Sequence, residues 1–547
     1  MIALFIALLL QTSAARAKPA PAPALVRGKI VADDTNTPIS YAAVELHRAS
    51  DQTLRRAYTD SAGAFEISGV EPGNYMLRAG KTGFVTAGYK DPDDDTAPLR
   101  LAPADTKEVS LRLARGAVIA GTITDTMGEP VNGATVSLLR KIYSGGHAQY
   151  ATPSSGFTDD RGDYRLFNLP AGRYYVKVTK NLTPGGAGLP VSPTFFPAAR
   201  RQQDAAPITL RAGEERDGAN VTLQDAALYD VAGRVIDART GEPMVNAYLN
   251  LMPAFGGGMM YNDRAQPDGA FRLRNIPAGS YRINVSAGYA DRARAPVNST
   301  RTVEISGNTS DLVIRIGAGS TITGKVQSVA GAALPNMMVL MTQRLSDGSA
   351  LRTTSGAVDP KGAFEMAGVE PGTYEIAVGV LGENVGDVVM TSAVLAYASS
   401  PSSARDVTDS AVEIGDTDAL VLTVTVDASP ATVSGKVFDG EAEGKAKALP
   451  RVPIALVSAD AKKRAIYRYF HAATTKRDGS FELSGIAPGK YLLIPWPAED
   501  SGQVLDPDVF PMVESLATPV TVEHGGKVTQ DLRLTRALRT LADTFAQ

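Results

Sequence analysis

A chain of 547 residues is too long for one hydrophobic core, because domains usually run to about 50–250 residues. It contains no cysteine, which excludes disulfides, thiol nucleophiles and thiolate metal sites, and its formal net charge of −3 supplies no basic field for nucleic acid. With 52 glycines, 34 prolines and a single tryptophan, the composition is that of a turn-rich β protein.

In chain order, Ile2 to Leu10 forms an apolar run and Ala15-Arg16-Ala17 a small-x-small cleavage site, so residues 1–17 read as a secretory signal peptide. The run departs from the usual pattern in having no Lys or Arg ahead of it, and it is too short to span a bilayer. Residues 18–24, Lys18-Pro-Ala-Pro-Ala-Pro23 and Ala24, form a stiff proline-rich linker. No later segment is apolar enough to cross a membrane as a helix. The expected address is outside the cytoplasm, periplasmic or extracellular.

From residue 25 one pattern is written five times. Asp60-Ser-Ala-Gly63-Ala-Phe65-Glu-Ile67 is followed by Pro72-Gly73-Asn-Tyr75, and the spacing returns at Gly162, Tyr164, Gly172 and Tyr174. It returns again at Gly269, Phe271, Gly279 and Tyr281, at Gly362, Phe364, Gly372 and Tyr374, and at Gly479, Phe481, Gly489 and Tyr491. A fixed spacing of this kind is the mark of a repeat architecture. Apolar Phe65 and Ile67 flank polar Glu66, so one side of the strand is buried and the other wet. Pro-Gly supplies a turn of type II chemistry, and a second alternating run starts at each tyrosine. Asp60, Asp159 and Asp359 precede the first glycine, but Gln266 and Lys476 hold that place elsewhere, so the position reads as turn chemistry and not catalysis.

Each copy opens on a strand with a central glycine: Val26-Arg-Gly28, Ile119-Ala-Gly121, Val231-Ala-Gly233, Ile322-Thr-Gly324 and Val433-Ser-Gly435. Each closes on two further alternating runs, such as Thr302-Val-Glu-Ile305 and Leu312-Val-Ile-Arg-Ile316. Counting these runs predicts an all-β protein of five tandem seven-stranded antiparallel β-sandwiches at 25–114, 117–226, 229–317, 320–427 and 431–536, with 537–547 a frayed tail. Seven being odd, the two termini of a sandwich leave from opposite ends. Short linkers then predict a head-to-tail string of beads, on the order of 150–200 Å at about 3.3 Å per strand residue.

The glycine-bearing opening strand, the Asp-x-x-Gly-x-Phe-x-Leu turn and strand, and the Pro-Gly-x-Tyr hairpin together resemble the carboxypeptidase regulatory-like domain, a transthyretin-like (prealbumin-like) sandwich often tandem in exported bacterial proteins. The resemblance covers essentially all of residues 25–536. It implies the fold and a non-catalytic binding or scaffolding role. Such domains are also similar to starch-binding-like and collagen-adhesin B-type sandwiches. The zinc carboxypeptidase activity that gave the domain its name needs His-x-x-Glu. His47, His147, His471 and His524 are followed three residues on by Ser50, Tyr150, Thr474 and Lys527, so that ligand set is missing. The Lys–Asn isopeptide bond of the collagen-adhesin B-type domains is not expected either. Lys29, Lys325 and Lys436 share a first-strand place that Thr122 and Arg234 fill in the other copies.

Two weaker motifs are read in their ordinary sense. Gly319 to Lys325 imitates a phosphate loop but starts a strand and lacks the final Ser or Thr, and Asp91 to Asp95 is an acidic loop without calcium-ligand spacing. Catalytic residues, metal ligands and cofactors are therefore not expected, nor is a nucleic-acid partner. The partner is expected to be a protein or a polysaccharide. The loop aromatics Tyr143, Tyr150, Tyr261, Tyr467, Tyr469, Phe195, Phe196, Trp496 and Phe510 either seal loops or stack on a ligand. On the second reading the chain is a carbohydrate-binding accessory protein, and Trp496, Tyr467 and Tyr469 of the fifth repeat are the candidate stacking residues.

Overall fold

The computed structural model describes residues 21–546 apart from 52, 92–96, 145–146, 181–192, 226, 255–259, 288–296, 318, 330, 332–333, 345–349, 382–387, 416–417, 441–446, 465 and 499–500. The expected signal peptide and residues 18–20 of the expected proline-rich linker, as well as the acidic run after Asp91, lie outside the described residues.

The chain divides into two compact units, one ending at Arg115 and one running from Gly116 to Gln547. The first packs a three-stranded sheet, in the order Ala64–Val70, Ala24–Ala32, Thr106–Leu113, on a sheet built around Ala43–Arg48 and Gly73–Gly80. Val26, Ile30, Val44, Leu46, Phe65, Tyr75 and Leu77 fill the space between them. The same two-sheet plan recurs in the second unit. Among the described residues the buried apolar side chains fall into five clusters, around Phe65, Tyr164, Phe271, Phe364 and Phe481. We number the corresponding modules 1 to 5.

Pairing is antiparallel except in one place per module. The opening strand runs parallel to the closing one, as Leu25 to Ala32 against Thr106 to Leu113 and Thr321 to Ser328 against Ala419 to Val426. An odd number of crossings sends first and last strands the same way, so when they meet in one sheet they are parallel. That contact explains the glycine of the opening strand. A Cβ on Gly28, Gly324 or Gly435 would strike the carbonyl oxygen of Val109, Leu422 or Gln530, and the first two would also strike the ring of Phe65 or Phe364.

The turns are built as follows. Gly63 takes φ +73° and its N–H donates to the Asp60 carbonyl, while Asp60 Oδ1 accepts from the N–H of Ala62 and of Ala64. Asp159 and Asp359 do the same, so the aspartate organises a turn. The glycine of the Pro-Gly position takes φ +152° to +158° at Gly73, Gly172, Gly279 and Gly372, and the compact left-handed φ of +56° to +72° belongs to a further residue. It sits four residues earlier, as Gly69, Asn168, Asn275, Gly368 or Gly485, where the strand bulges between positions paired to the opening strand. The tyrosine after the Pro-Gly position then ties the corner: Tyr75, Tyr174, Tyr281, Tyr374 and Tyr491 each donate their hydroxyl to the carbonyl four residues upstream, at 2.7–2.9 Å.

The tail expected at 537–547 is instead the helix Arg536–Ala546, which buries Leu538 and Ala542 in the core of module 5. Module 4 also departs from the plan. Its strand Val389–Tyr397 joins the sheet of the opening strand and carries an added edge strand, Ser400–Asp406.

Candidate functional site

The three candidate stacking residues do not share a platform. Trp496 is completely buried; the segment after it folds back as Ser501–Leu505 and the short helix Phe510–Glu514, covering the outer face of the module 5 sheet. Its indole N–H donates to Gln503 Oε1 at 3.3 Å, and Gln503 Nε2 donates to the Phe545 carbonyl at 2.8 Å, so the ring anchors the terminal helix. Tyr469 is buried, with Lys463 Nζ 4.9 Å and the Arg468 guanidinium 4.7 Å from its ring centre. Tyr467 alone is open to solvent. A buried ring has no face to offer a sugar.

The remaining loop aromatics mostly seal. Phe195 and Phe510 are buried, the latter under the Arg464 guanidinium at 3.9 Å. Tyr150 meets Tyr175 edge-on at 6.0 Å, and Tyr261 meets Tyr281 edge-on at 6.4 Å.

What these loops do build is a set of polar junctions within residues 116–547. Asp409 of module 4 accepts from the Tyr469 hydroxyl at 2.9 Å, lies 3.2 Å from Lys463 Nζ, and pairs with Arg468, all of module 5. Val389 of module 4 also packs into the module 5 core. Glu370 of module 4 pairs with Arg352 and accepts from the N–H of Thr300 in module 3 at 3.1 Å.

Two junctions join modules that are not neighbours in sequence. Asp506 of module 5 accepts from Lys141 Nζ at 2.9 Å and from the Tyr143 hydroxyl at 2.8 Å, both in the long hairpin of module 2. Arg173 and Asp508 stand 3.9 Å apart beside them. Glu375 of module 4 accepts from Arg344 Nε at 2.7 Å and lies 3.3 Å from Nε2 of His147, at the tip of the same hairpin. A string would keep modules 2 and 5 apart; here they pack together.

Electrostatics fit this role. Burial pushes the Asp506 carboxyl up, but hydrogen bonds from Lys141, the Asp508 backbone and Tyr143 outweigh it and hold the group below the ordinary value. Burial likewise opposes the bonds from His147 and Arg344 at Glu375, and again the bonds win. Charged acceptors with two or three donors are the stronger class of hydrogen bond. Among the described residues no three His, Asp or Glu side chains converge to hold a metal ion.

Comparison with known proteins gives three findings. The carboxypeptidase regulatory-like domain model matches residues 26–114, 118–224 and 230–314. The chain is 22% identical over 377 residues to BOS complex subunit NOMO1 of Mus musculus and 21% identical to its Homo sapiens counterpart, covering 64% of this chain but 28% of each relative. Among solved structures it is similar to a streptococcal ancillary pilin (13% identity, TM-score 0.20, 54% of this chain and 98% of the pilin). It is also similar to GBS52, the minor pilin of Streptococcus agalactiae (12% identity, TM-score 0.21, 37% and 96%).

Proposed function

Because the chain belongs to the carboxypeptidase regulatory-like domain family, we propose that it is an exported, non-catalytic protein that binds and scaffolds a partner through several β-sandwich modules bounded as read from the sequence. The observation that carries this reading is the Asp506 junction: loop side chains suited to chemistry, a carboxylate, a lysine and a phenol, are spent on joining module 5 to module 2. Holding modules in register is the work of a frame. The mammalian relatives are named as complex subunits, which supports a partner that is a protein assembly. Export is supported by the apolar run Ile2–Leu10 followed by Ala15-Arg16-Ala17.

The test is made on cells producing the full chain. The mature protein is expected outside the cytoplasm with Lys18 as its first residue, and in gently prepared extracts it elutes in an assembly larger than the purified chain. A cytoplasmic chain that keeps residues 1–17 contradicts the export reading. A chain that elutes at its own mass in both preparations contradicts the scaffold reading.

A further inference from the structure

In residues 116–547 the outward face of the larger sheet is occupied in three modules. Leu139 and Lys177 point away from the module 2 core and are nonetheless buried, where the helix Arg536–Ala546 and Ser501–Leu505 pack on the strands that carry them. The hairpin of module 2 reaches Glu375 on module 4. The helices of module 5 cover its own face. Module 3 differs.

Its face is laid out by the pairing of Tyr248–Pro253 with Tyr261–Arg264 on one side and Gly279–Ala287 on the other. Leu249, Leu251, Ile283 and Val285 point into the core and are buried, so Tyr248, Asn250, Asn262, Arg282 and Asn284 point outward. Asn262, Asn250 and Asn284 stand directly opposite one another and form a row across three strands, spaced by the ~4.8 Å between neighbouring strands. Asn250 Nδ2 and the Tyr248 hydroxyl both donate to Asn262 Oδ1, at 2.6 and 2.9 Å, which fixes the amides in plane. Asn250 Oδ1 and Arg282 Nε have no hydrogen-bond partner among the described residues. Beside Asn250 stands Met260, whose sulfur is 3.9 Å from Nδ2 and whose side chain is more than half exposed. An unbranched thioether moves aside at little cost.

We infer that this outward face of module 3 is a binding platform for a hydroxyl-rich polysaccharide. Asn250 and Asn284 each offer a donor and an acceptor side by side, the pattern that adjacent sugar hydroxyls complement, and Asn262, whose oxygen already accepts twice, offers its Nδ2 donors. The exposed side of Tyr248 and the Met260 thioether supply the apolar surface on which the C–H side of a sugar ring rests. Arg282 adds donors; the outward carboxylate of the face itself, Glu304, lies at the margin opposite Ser280, and Glu370 of module 4 meets the edge strand at the Thr300 N–H. The face lacks the continuous apolar centre that a stable protein interface buries, and lying on the flat of the sheet it presents no unpaired strand edge to an extended peptide. The inference rests on the binding reading above and names a partner class and a place for it, different from the module 5 rings chosen from the sequence.

The experiment is affinity electrophoresis of the full chain in native gels containing dextran, laminarin, xylan or amylose, with alginate as the uronate-bearing arm. At least one polymer retards the wild-type chain. Tyr248→Ala weakens that retardation roughly fivefold, the equivalent of losing about 1 kcal/mol, and Asn284→Ala weakens it as well, while Phe167→Ala, an exposed ring on module 2, leaves it unchanged. Retardation by alginate alone assigns the platform to acidic polymers through Arg282 and supports the inference. Tyr248 and Asn284 lie outside the core, and should one variant fail to fold, the other decides. Failure of all five polymers to retard the chain, or retardation of Tyr248→Ala and Asn284→Ala as strong as that of the wild-type chain, overturns the platform. A large assembly that persists in extracts when no polymer binds sinks this inference and leaves the scaffold reading standing.

Discussion

At the scale of single residues, two aromatics per repeat carry much of the fold. In modules 1, 4 and 5 the ring two residues after the turn glycine packs over the opening-strand glycine, and in every module the tyrosine ten residues later ties the corner with its hydroxyl. The first was legible in the sequence, because alternation around Phe65 or Phe364 already places the ring inside. The second was not: Tyr374 reads as another inward residue of a strand, and nothing in its spacing says that the Glu370 carbonyl lies within 2.8 Å. The two substitutions therefore separate the roles. Phe364→Ala is expected to cost about 3–5 kcal/mol, the usual range for truncating a buried aromatic, and Tyr374→Phe about 1 kcal/mol, the net worth of one hydrogen bond. Hydrogen exchange in the strand Ala363–Val369 reads both. Unchanged protection in Phe364→Ala would mean that the ring is not part of the module 4 core.

At the scale of elements, strands and turns were legible because their signals are local, a period of two bounded by Gly, Pro or Asp. The parallel pairing of first and last strands follows from counting crossings. The C-terminal helix was misjudged for a different reason. Its apolar positions Leu538, Leu541, Ala542 and Phe545 have helical spacing, but an isolated helix of this length is marginal. What stabilises it is a surface supplied some 40 residues earlier, by Trp496 through Gln503. The same distance hid the true place of Trp496. Buried beside the Asp506 junction, it is also a reporter. Asp506 and Glu375 have folded values below the ordinary carboxylate value. Their contribution is therefore present above about pH 4 and is lost as pH falls through the lower folded values. Trp496 fluorescence is expected to stay unshifted from pH 7 to pH 5 and to move to the red only below about pH 4. A red shift already complete at pH 6 would show that the junction carboxylates do not hold this region.

At the scale of the whole molecule, the account turns on modules that are distant in sequence yet joined. Repeats announce their own cores but not which outer faces meet, since Lys141 and Asp506 are 365 positions apart and each reads as an ordinary surface residue. The carboxylates of Glu370, Asp409 and Asp506 each take donors from another module of residues 116–547, and Glu375 stands 3.3 Å from His147 of another. Removing the Asp506 charge as Asp506→Asn is expected to weaken that junction by about 1.5–3 kcal/mol, the worth of a hydrogen bond to a charged group, without disturbing the Phe481 core. The direct measurement is zero-length carbodiimide coupling of the full chain followed by peptide mapping. The Lys436–Asp478 pair within module 5, at 3.0 Å, serves as the internal standard. The account predicts an amide between Lys141 and Asp506 that forms alongside the standard and vanishes in Asp506→Asn. Formation of the Lys436–Asp478 amide with Lys141 and Asp506 recovered uncoupled would contradict it.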